Sequence, residues 1–170
     1  MRISRTLLPA LLVVAGLPAF SQAVVGAPTA TATALASAKI YQPISIKKAA
    51  DLNFGAMIAT PTAGTVKLDV AGVRTASGGA VLASAAGVSA AAFDVAGEPN
   101  TTFSVALPAS IQIASGPNSM TVDTFVTDAA AYLLDGTGAH ALSVGANLSV
   151  GANQAAGLYS GSFSVTVAYN

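Results

Sequence analysis

The chain has 170 residues, which is enough for one domain with a hydrophobic core. Seven lysines and arginines balance seven aspartates and glutamates, and only 8% of the residues are charged while 53% are hydrophobic. This composition argues against nucleic acid and anionic lipid as partners, because both need clustered basic side chains. The absence of cysteine excludes disulfides, thiolate metal sites and cysteine nucleophiles.

Residues 1–23 have the pattern of a secretory signal peptide. Two arginines precede an apolar run over residues 6–20, and Ser21 and Ala23 suit the positions that signal peptidase reads. The run is about 15 residues long, against the ~20 needed to span a bilayer, so an uncleaved membrane anchor is the less favoured alternative. We expect export, cleavage after Ala23 or, as second choice, after Ala27, and no stable membrane span afterwards.

Residues 28–40 alternate threonine, leucine or serine with alanine. Such strict alternation favours an extended strand, although neither face is bulky and the register is weakly specified. We therefore divide the exported chain into an Ala/Thr-rich extended segment, residues 24–38, and a β domain, residues 39–170.

Short alternating stretches, separated by glycine, proline and asparagine turns, follow along the domain. Core candidates Leu52, Phe54 and Met57 come early, and the Ala-rich residues 81–92 allow one short helical turn. The strand candidates before the C-terminal tail are residues 44–47, 65–70, 93–95, 102–107, 111–113, 120–125, 140–144 and 147–150. Together they predict an all-β, antiparallel sandwich of the immunoglobulin-like or pilin-like kind.

The clearest strand is the C-terminal tail, residues 157–170. Apolar and aromatic residues alternate there with serine and threonine, which is the two-residue period of a strand with one buried face. We expect this strand to complete a sheet. The residues predicted to carry strand pairing or assembly are Gly157, Tyr159, Phe163, Val165, Val167 and Tyr169.

Motifs for chemistry are missing from the sequence. His140 is the single histidine, the acidic residues are scattered, and there is no nucleophile elbow, phosphate-binding loop or calcium loop. Two of the acids could still meet in space as a catalytic pair, but spacing alone does not indicate it. We expect a protein that is not an enzyme and uses no cofactor or metal.

Several motifs resemble a known family. These are residues 43–55 (PISIKKAADLNFG), Gly78 and Gly79, and the ending GLYSGSFSVTVAYN at residues 157–170. The combination is similar to the bacterial domain-of-unknown-function family 4402, across nearly the whole exported chain. That resemblance implies an exported β domain and names no substrate.

The ending also resembles subunits of chaperone–usher pili. Those subunits carry a penultimate aromatic residue and a glycine fourteenth from the end, which match Tyr169 and Gly157. The resemblance implies strand pairing with a periplasmic chaperone or with the N-terminal extension of another subunit. In this chain the extension is mostly methyl groups, and pilin-like cysteines are absent.

The sequence predicts an exported structural or surface protein, in the form of a fimbria-like subunit that assembles by β-strand pairing. One alternative is a self-complete periplasmic or secreted β-sandwich that binds an unknown ligand. A further alternative is a small outer-membrane β-barrel, which is disfavoured by the short strands and the absence of tryptophan.

Overall fold

The computed structural model describes Gly26 and residues 28–128 and 131–170. The chain divides into two units, Met1–Ala38 and Lys39–Asn170. In the first unit, residues 28–38 carry no strand and all their side chains are exposed, so the strand predicted for this tract is not formed. The predicted signal peptide and the cleavage site at Ala23 lie outside the described residues.

Within the second unit, the described residues form eleven β-strands and no helix. The strands are β1 (Ser45–Ala50), β2 (Met57–Ile58), β3 (Gly64–Leu68), β4 (Arg74–Gly78), β5 (Val81–Leu82), β6 (Ala91–Ala96), β7 (Phe103–Ala106), β8 (Ser110–Ser115), β9 (Asn118–Thr127), β10 (Ala139–Val150) and β11 (Thr166–Tyr169). Every strand pair is antiparallel. The all-β antiparallel class is therefore confirmed, and no helix in the described part of the chain is long and apolar enough to cross a membrane.

Seven strands form one curled sheet around β10. The path runs β1-β6-β10-β3-β4, while β9 pairs with β10 and β8 pairs with β9. β10 pairs with β6 along residues 139–144 and with β3 along residues 146–150. Val144 also pairs with Thr127 of β9, so β9 occupies the opposite edge. The partner on one edge of β10 therefore changes from β6 to β3 at Gly145.

Four strands lie outside the curled sheet, in two-stranded pairs. β11 pairs with β7, and β2 pairs with β5. The Ala-rich stretch that allowed a helical turn contains β5 and then turns, with Gly87 at a φ of 75°. No helical turn forms there.

The core consists of two apolar clusters, and no polar or charged side chain among the described residues is buried. The first cluster contains Phe54, Val66, Leu68, Ala80, Met120, Val122, Ala146, Leu148 and Val150, and the second contains Ala91, Val95, Phe103, Leu134, Leu142 and Val144. β10 supplies residues to both clusters. Leu52 and Met57 pack against the first cluster from half-buried positions, beside the buried Phe54, as predicted.

A bulge in β9 fixes which of its faces is buried. Asp123 and Val126 pair with Asn147 and Gly145, so Thr124 and Phe125 together oppose one residue of β10. Thr124 has a φ of 50°, in the left-handed region. Val122 and Phe125 consequently face the core on either side of the bulge, whereas a regular strand would put them on opposite faces.

Candidate functional site

The C-terminal tail forms much less strand than the sequence predicts. Of residues 157–170, only β11 is a strand, with Val167 opposite Val105 and Tyr169 opposite Phe103 of β7. Earlier in the tail, Ser160 makes an isolated bridge to Ala114 of β8. The tail therefore contacts two different partner strands, and the residues between these contacts join no ladder.

The predicted inward face of the tail is nevertheless formed. Tyr159, Phe163, Val165, Val167 and Tyr169 are half-buried, and the residues between them are exposed, including Gly161, which the alternation also puts on the inward face. The Phe163 ring lies 5.0 Å from the Phe125 ring and 6.3 Å from the Phe93 ring, measured between centroids. These side chains pack on the core without being enclosed by it.

Gly157 and Tyr159 lie at the start of the tail, beside the end of β8. A β-carbon added to Gly157 would lie 2.5 Å from the hydroxyl oxygen of Ser115. A larger residue at this position would therefore push the Ser115 side chain away. The Tyr159 hydroxyl donates to the carbonyl of Ala155 and accepts from the amide of Gln154, both at 2.8 Å. These bonds hold the tail in place before it reaches Ser160.

The penultimate residue, Tyr169, is bonded within its own domain. Its hydroxyl donates to the carbonyl oxygen of Gln42 at 2.8 Å and accepts from the backbone N–H of Glu98 at 2.6 Å. Its ring lies 5.9 Å from the Tyr41 ring. One phenol therefore ties the C-terminus to the start of the domain and to the turn after β6.

Glu98 completes this contact, which we call the clasp (Lys39, Tyr41, Gln42, Glu98 and Tyr169). The Glu98 carboxylate accepts from the backbone N–H of Gln42 at 3.2 Å and pairs with the ammonium of Lys39 at 3.3 Å. The Gln42 hydrogen bond, followed by the Lys39 hydrogen bond, holds the pKa of Glu98 below its usual 4.5. The ammonium also lies 4.4 Å from the centre of the Tyr41 ring.

The lowered pKa makes the clasp sensitive to acid. The ionised Glu98 stabilises the fold above its ordinary pKa of 4.5, and this contribution is lost as the pH falls through the lower, folded-state pKa. We expect the wild type to exceed Glu98→Gln in urea midpoint near neutral pH and the difference to shrink in acid. The pKa of Asp135 is also lowered, mainly by the hydrogen bond from the Thr137 hydroxyl. Asp135 is present in both chains, so its titration does not affect the difference between them. A difference in urea midpoint between the wild type and Glu98→Gln that stays the same from neutral to acid pH would contradict this.

An apolar cleft of about 480 Å³ opens between residues 50–57 and residues 158–163. Its floor includes Met120 and Val122 of the first core cluster, together with Ile111 of β8, which packs against that cluster. The charged groups that line it, Lys48 and Asp51, are bonded to each other at 2.6 Å. A second cleft of about 380 Å³ shares Met57, Met120 and Tyr159 with the first.

One wall of this cleft is built on the LNFG motif, residues 52–55. The Asn53 side-chain oxygen accepts from the N–H of Gly55 at 2.8 Å, and Gly55 adopts a φ of 67°, which favours glycine. Asn53 also forms a two-bond bridge with Ser89. The motif therefore turns the chain so that Phe54 is buried.

Arg74 holds this wall, although sequence reasoning assigned it no role. Its guanidinium donates to the carbonyl oxygens of Phe54 at 2.7 Å, Ala56 at 2.9 Å and Ser84 at 3.0 Å. A further bond reaches the carbonyl of Ala83 at 3.5 Å. The sequence shows only an arginine between Gly72 and Gly79, and this does not indicate which carbonyl groups it binds.

His140 has structural contacts. It lies in β10, its Nδ1 is 3.0 Å from the carbonyl of Leu133, and its ring packs edge-on against Phe103 at 5.3 Å. Among the residues that the structure describes, no three histidine or acidic side chains are grouped to hold a metal ion.

A family model matches residues 44–169, and its description is domain of unknown function (DUF4402). The match covers β1 to β11 and the clefts. It confirms the resemblance seen in the sequence motifs. No curated protein and no solved structure matches the chain. The chain therefore belongs to the DUF4402 family.

Proposed function

We propose that this chain is an exported structural protein that assembles with other protein chains by pairing β-strands at its C-terminal tail. The observation that carries this proposal is the unpaired main chain of residues 161–164. In the described part of the molecule, these residues make no backbone hydrogen bond, although Ser160 before them and β11 after them are both paired. An unpaired extended segment is a template for an incoming strand.

The side chains of the tail support the same proposal. Phe163 and Val165 are half-buried, so an incoming strand would remove more of their apolar surface from water. Such burial contributes about 25 cal/mol per Å². Main-chain hydrogen bonds would supply affinity, and the alternation of the tail would set the register.

In this proposal the domain is an immunoglobulin-like sandwich. The second core cluster supports the layered arrangement, because it joins Val95 and Leu142 of the curled sheet to Phe103 of β7, and Val167 of β11 packs against it. The partner is a second copy of the chain or a periplasmic chaperone. Export follows from the signal peptide predicted at residues 1–23.

A self-complete binding module is the second candidate, and the clasp favours it. The Tyr169 hydroxyl already has a donor and an acceptor inside its own domain, so the last strand needs no outside partner. The 480 Å³ cleft would then take a small apolar ligand, since pockets of ~300–1,000 Å³ are typical of such sites.

Proline in the tail distinguishes the two candidates. Ser164 is exposed and its N–H makes no hydrogen bond within the described residues, so Ser164→Pro removes a donor that only an incoming strand would use. Ser164→Ala is the matched control. We expect the wild type and Ser164→Ala to form oligomers in analytical ultracentrifugation, and Ser164→Pro to stay monomeric with an unchanged circular dichroism spectrum.

Two results would contradict the proposed assembly. One is a folded wild type that stays monomeric at every concentration, which would favour the binding module. The other is a Ser164→Pro chain that assembles as the wild type does.

A further inference from the structure

The floor of the 480 Å³ cleft consists of core side chains. Met120, Val122 and Leu148 lie there, and each of them is at most 8% exposed. The rings of Phe93 and Phe163 also line the cleft, with their centroids 6.3 Å apart. The cleft therefore offers a continuous apolar surface, in the range of ~300–1,000 Å³ that is typical of small-molecule sites.

Leu158 extends this apolar surface at the edge of the cleft. It is one of the lining residues, yet its side chain is 87% exposed. An apolar group that covered Leu158 would remove this surface from water, which is favourable. The floor and its edge together fit an aliphatic chain that continues from the cleft onto Leu158.

The charges of the cleft disfavour an ionised ligand. Among the described residues, Lys48 and Asp51 are the two charged side chains that line it, and they are bonded to each other at 2.6 Å. An ionised group held in the cleft would lose water without gaining a counter-ion, which is costly. The lining therefore selects an uncharged ligand.

The tail supplies uncharged hydrogen-bonding groups along one wall. Gly161, Ser162 and Phe163 line the cleft, and their main chain makes no hydrogen bond within the described residues. A free N–H donates to an ester or hydroxyl oxygen, and a free C=O accepts from a hydroxyl. A polar but uncharged head would therefore find partners beside the apolar floor.

We propose that the cleft binds an uncharged amphiphile with a single acyl chain. The chain lies on Met120 and Val122 and leaves the cleft over Leu158, while the hydroxyl or ester group of the head bonds to the main chain of residues 161–163. This inference rests on the second candidate function, the binding module, and names its ligand class. The ligand would occupy the main-chain groups that an incoming strand would use, so binding is measured on the monomer.

Isothermal titration calorimetry tests this inference with the octanoyl, decanoyl and dodecanoyl monoesters of glycerol, each below its critical micelle concentration. The protein is diluted until it sediments as a monomer. We expect one site per chain and a dissociation constant that falls about fourfold for each added methylene, as burial of the chain requires. Dodecanoate has the same length with an ionised head and should bind about tenfold more weakly than the dodecanoyl ester.

Matched variants locate the site. Ala50 lines the cleft from β1 and is half-buried, so Ala50→Leu should fill part of the cleft and weaken binding on the order of tenfold, the effect of losing roughly two buried methylenes. Ala141→Leu is the control, because Ala141 is exposed on β10 and does not line the cleft.

A second pair of variants leaves the core unchanged. Leu158→Asp should weaken binding of the dodecanoyl ester, whereas Leu158→Met should retain it. Because Leu158 is exposed, this pair decides the question if circular dichroism shows that Ala50→Leu does not fold.

The outcomes separate this inference from the proposed assembly. Esters that do not bind, dodecanoate that binds as tightly as its ester, or folded cleft variants that bind as the wild type does would each overturn the inference. A wild type that assembles in ultracentrifugation but binds no ester retains the proposed assembly alone. A monomer that binds the esters with the expected dependence on chain length supports the binding module.

Discussion

Gly145→Ala is expected to destabilise the domain by about 3 kcal/mol or more, at the upper end of overpacking effects. A β-carbon at this position would overlap the carbonyl oxygen of Leu68 and lie 2.9 Å from the carbonyl carbon of Asp69. Both are backbone atoms, so no side chain can rotate away. The strands β3 and β10 would have to separate where β10 exchanges β6 for β3.

Urea unfolding followed by circular dichroism measures this effect, with Gly136→Ala as the control. A β-carbon on Gly136 would meet no atom within 4 Å, and its φ lies outside the left-handed region. We expect the control to unfold within about 0.5 kcal/mol of the wild type, as surface substitutions usually do. Equal unfolding midpoints for the two alanine variants would show that β10 tolerates a side chain at the position where its neighbour changes from β6 to β3.

Arg74→Met is expected to lower the free energy of unfolding by about 2–3 kcal/mol. Hydrogen bonds to charged groups contribute ~1.5–3 kcal/mol each, and here the total is limited because Arg74 is only half-buried. Methionine keeps the apolar stem but leaves the carbonyls of Phe54, Ala56 and Ser84 without this donor. The wall of the cleft should loosen before the rest of the domain unfolds.

Arg74→Lys separates the charge from the geometry. Lysine keeps the positive charge but lacks the planar fork that reaches several carbonyls at once, so an intermediate loss is expected. Lys67→Met is the control for charge removal, since the Lys67 side chain is exposed on the neighbouring strand β3 and makes no hydrogen bond or ion pair among the described residues. A loss in Lys67→Met as large as that in Arg74→Met would refute the role given to the guanidinium.

Local alternation predicted much of the domain. The two-residue period of the strand candidates 65–70, 93–95 and 102–107 puts Val66, Leu68, Val95 and Phe103 on their inward faces, and these side chains are buried. That period depends only on neighbouring residues, which is why a single sequence reveals it. It states which face of a strand is buried and leaves open which strand lies beside it.

The limits of this reasoning are clearest at β10 and in the tail. The sequence pattern gives residues 140–144 and 147–150 as two stretches of one strand region, and the structure joins them into one strand of 12 residues. The buried series Leu142, Val144, Ala146, Leu148 and Val150 keeps its two-residue period past the glycine. Gly145 lies on the other face of β10, where the main chain of β3 leaves no room for a β-carbon. The tail was predicted to be the main pairing strand, yet only the four residues of β11 form a ladder.

The candidate site was predictable only in part. The positions of Phe163 and Tyr169 on the inward face follow from the tail's alternation. The bond from the Tyr169 hydroxyl to Gln42, 127 residues earlier, requires the tertiary fold. The same holds for Arg74 and for the cleft, whose walls come from distant parts of the sequence.

The late position of β10 has a consequence for how the chain reaches its native state. β3 and β6 leave the ribosome long before residue 139, and until then each lacks its central neighbour. Topologies dominated by such distant contacts fold slowly and expose aggregation-prone edges meanwhile. A holding factor would therefore be needed most before β10 has been synthesised, a demand created by the order of the strands.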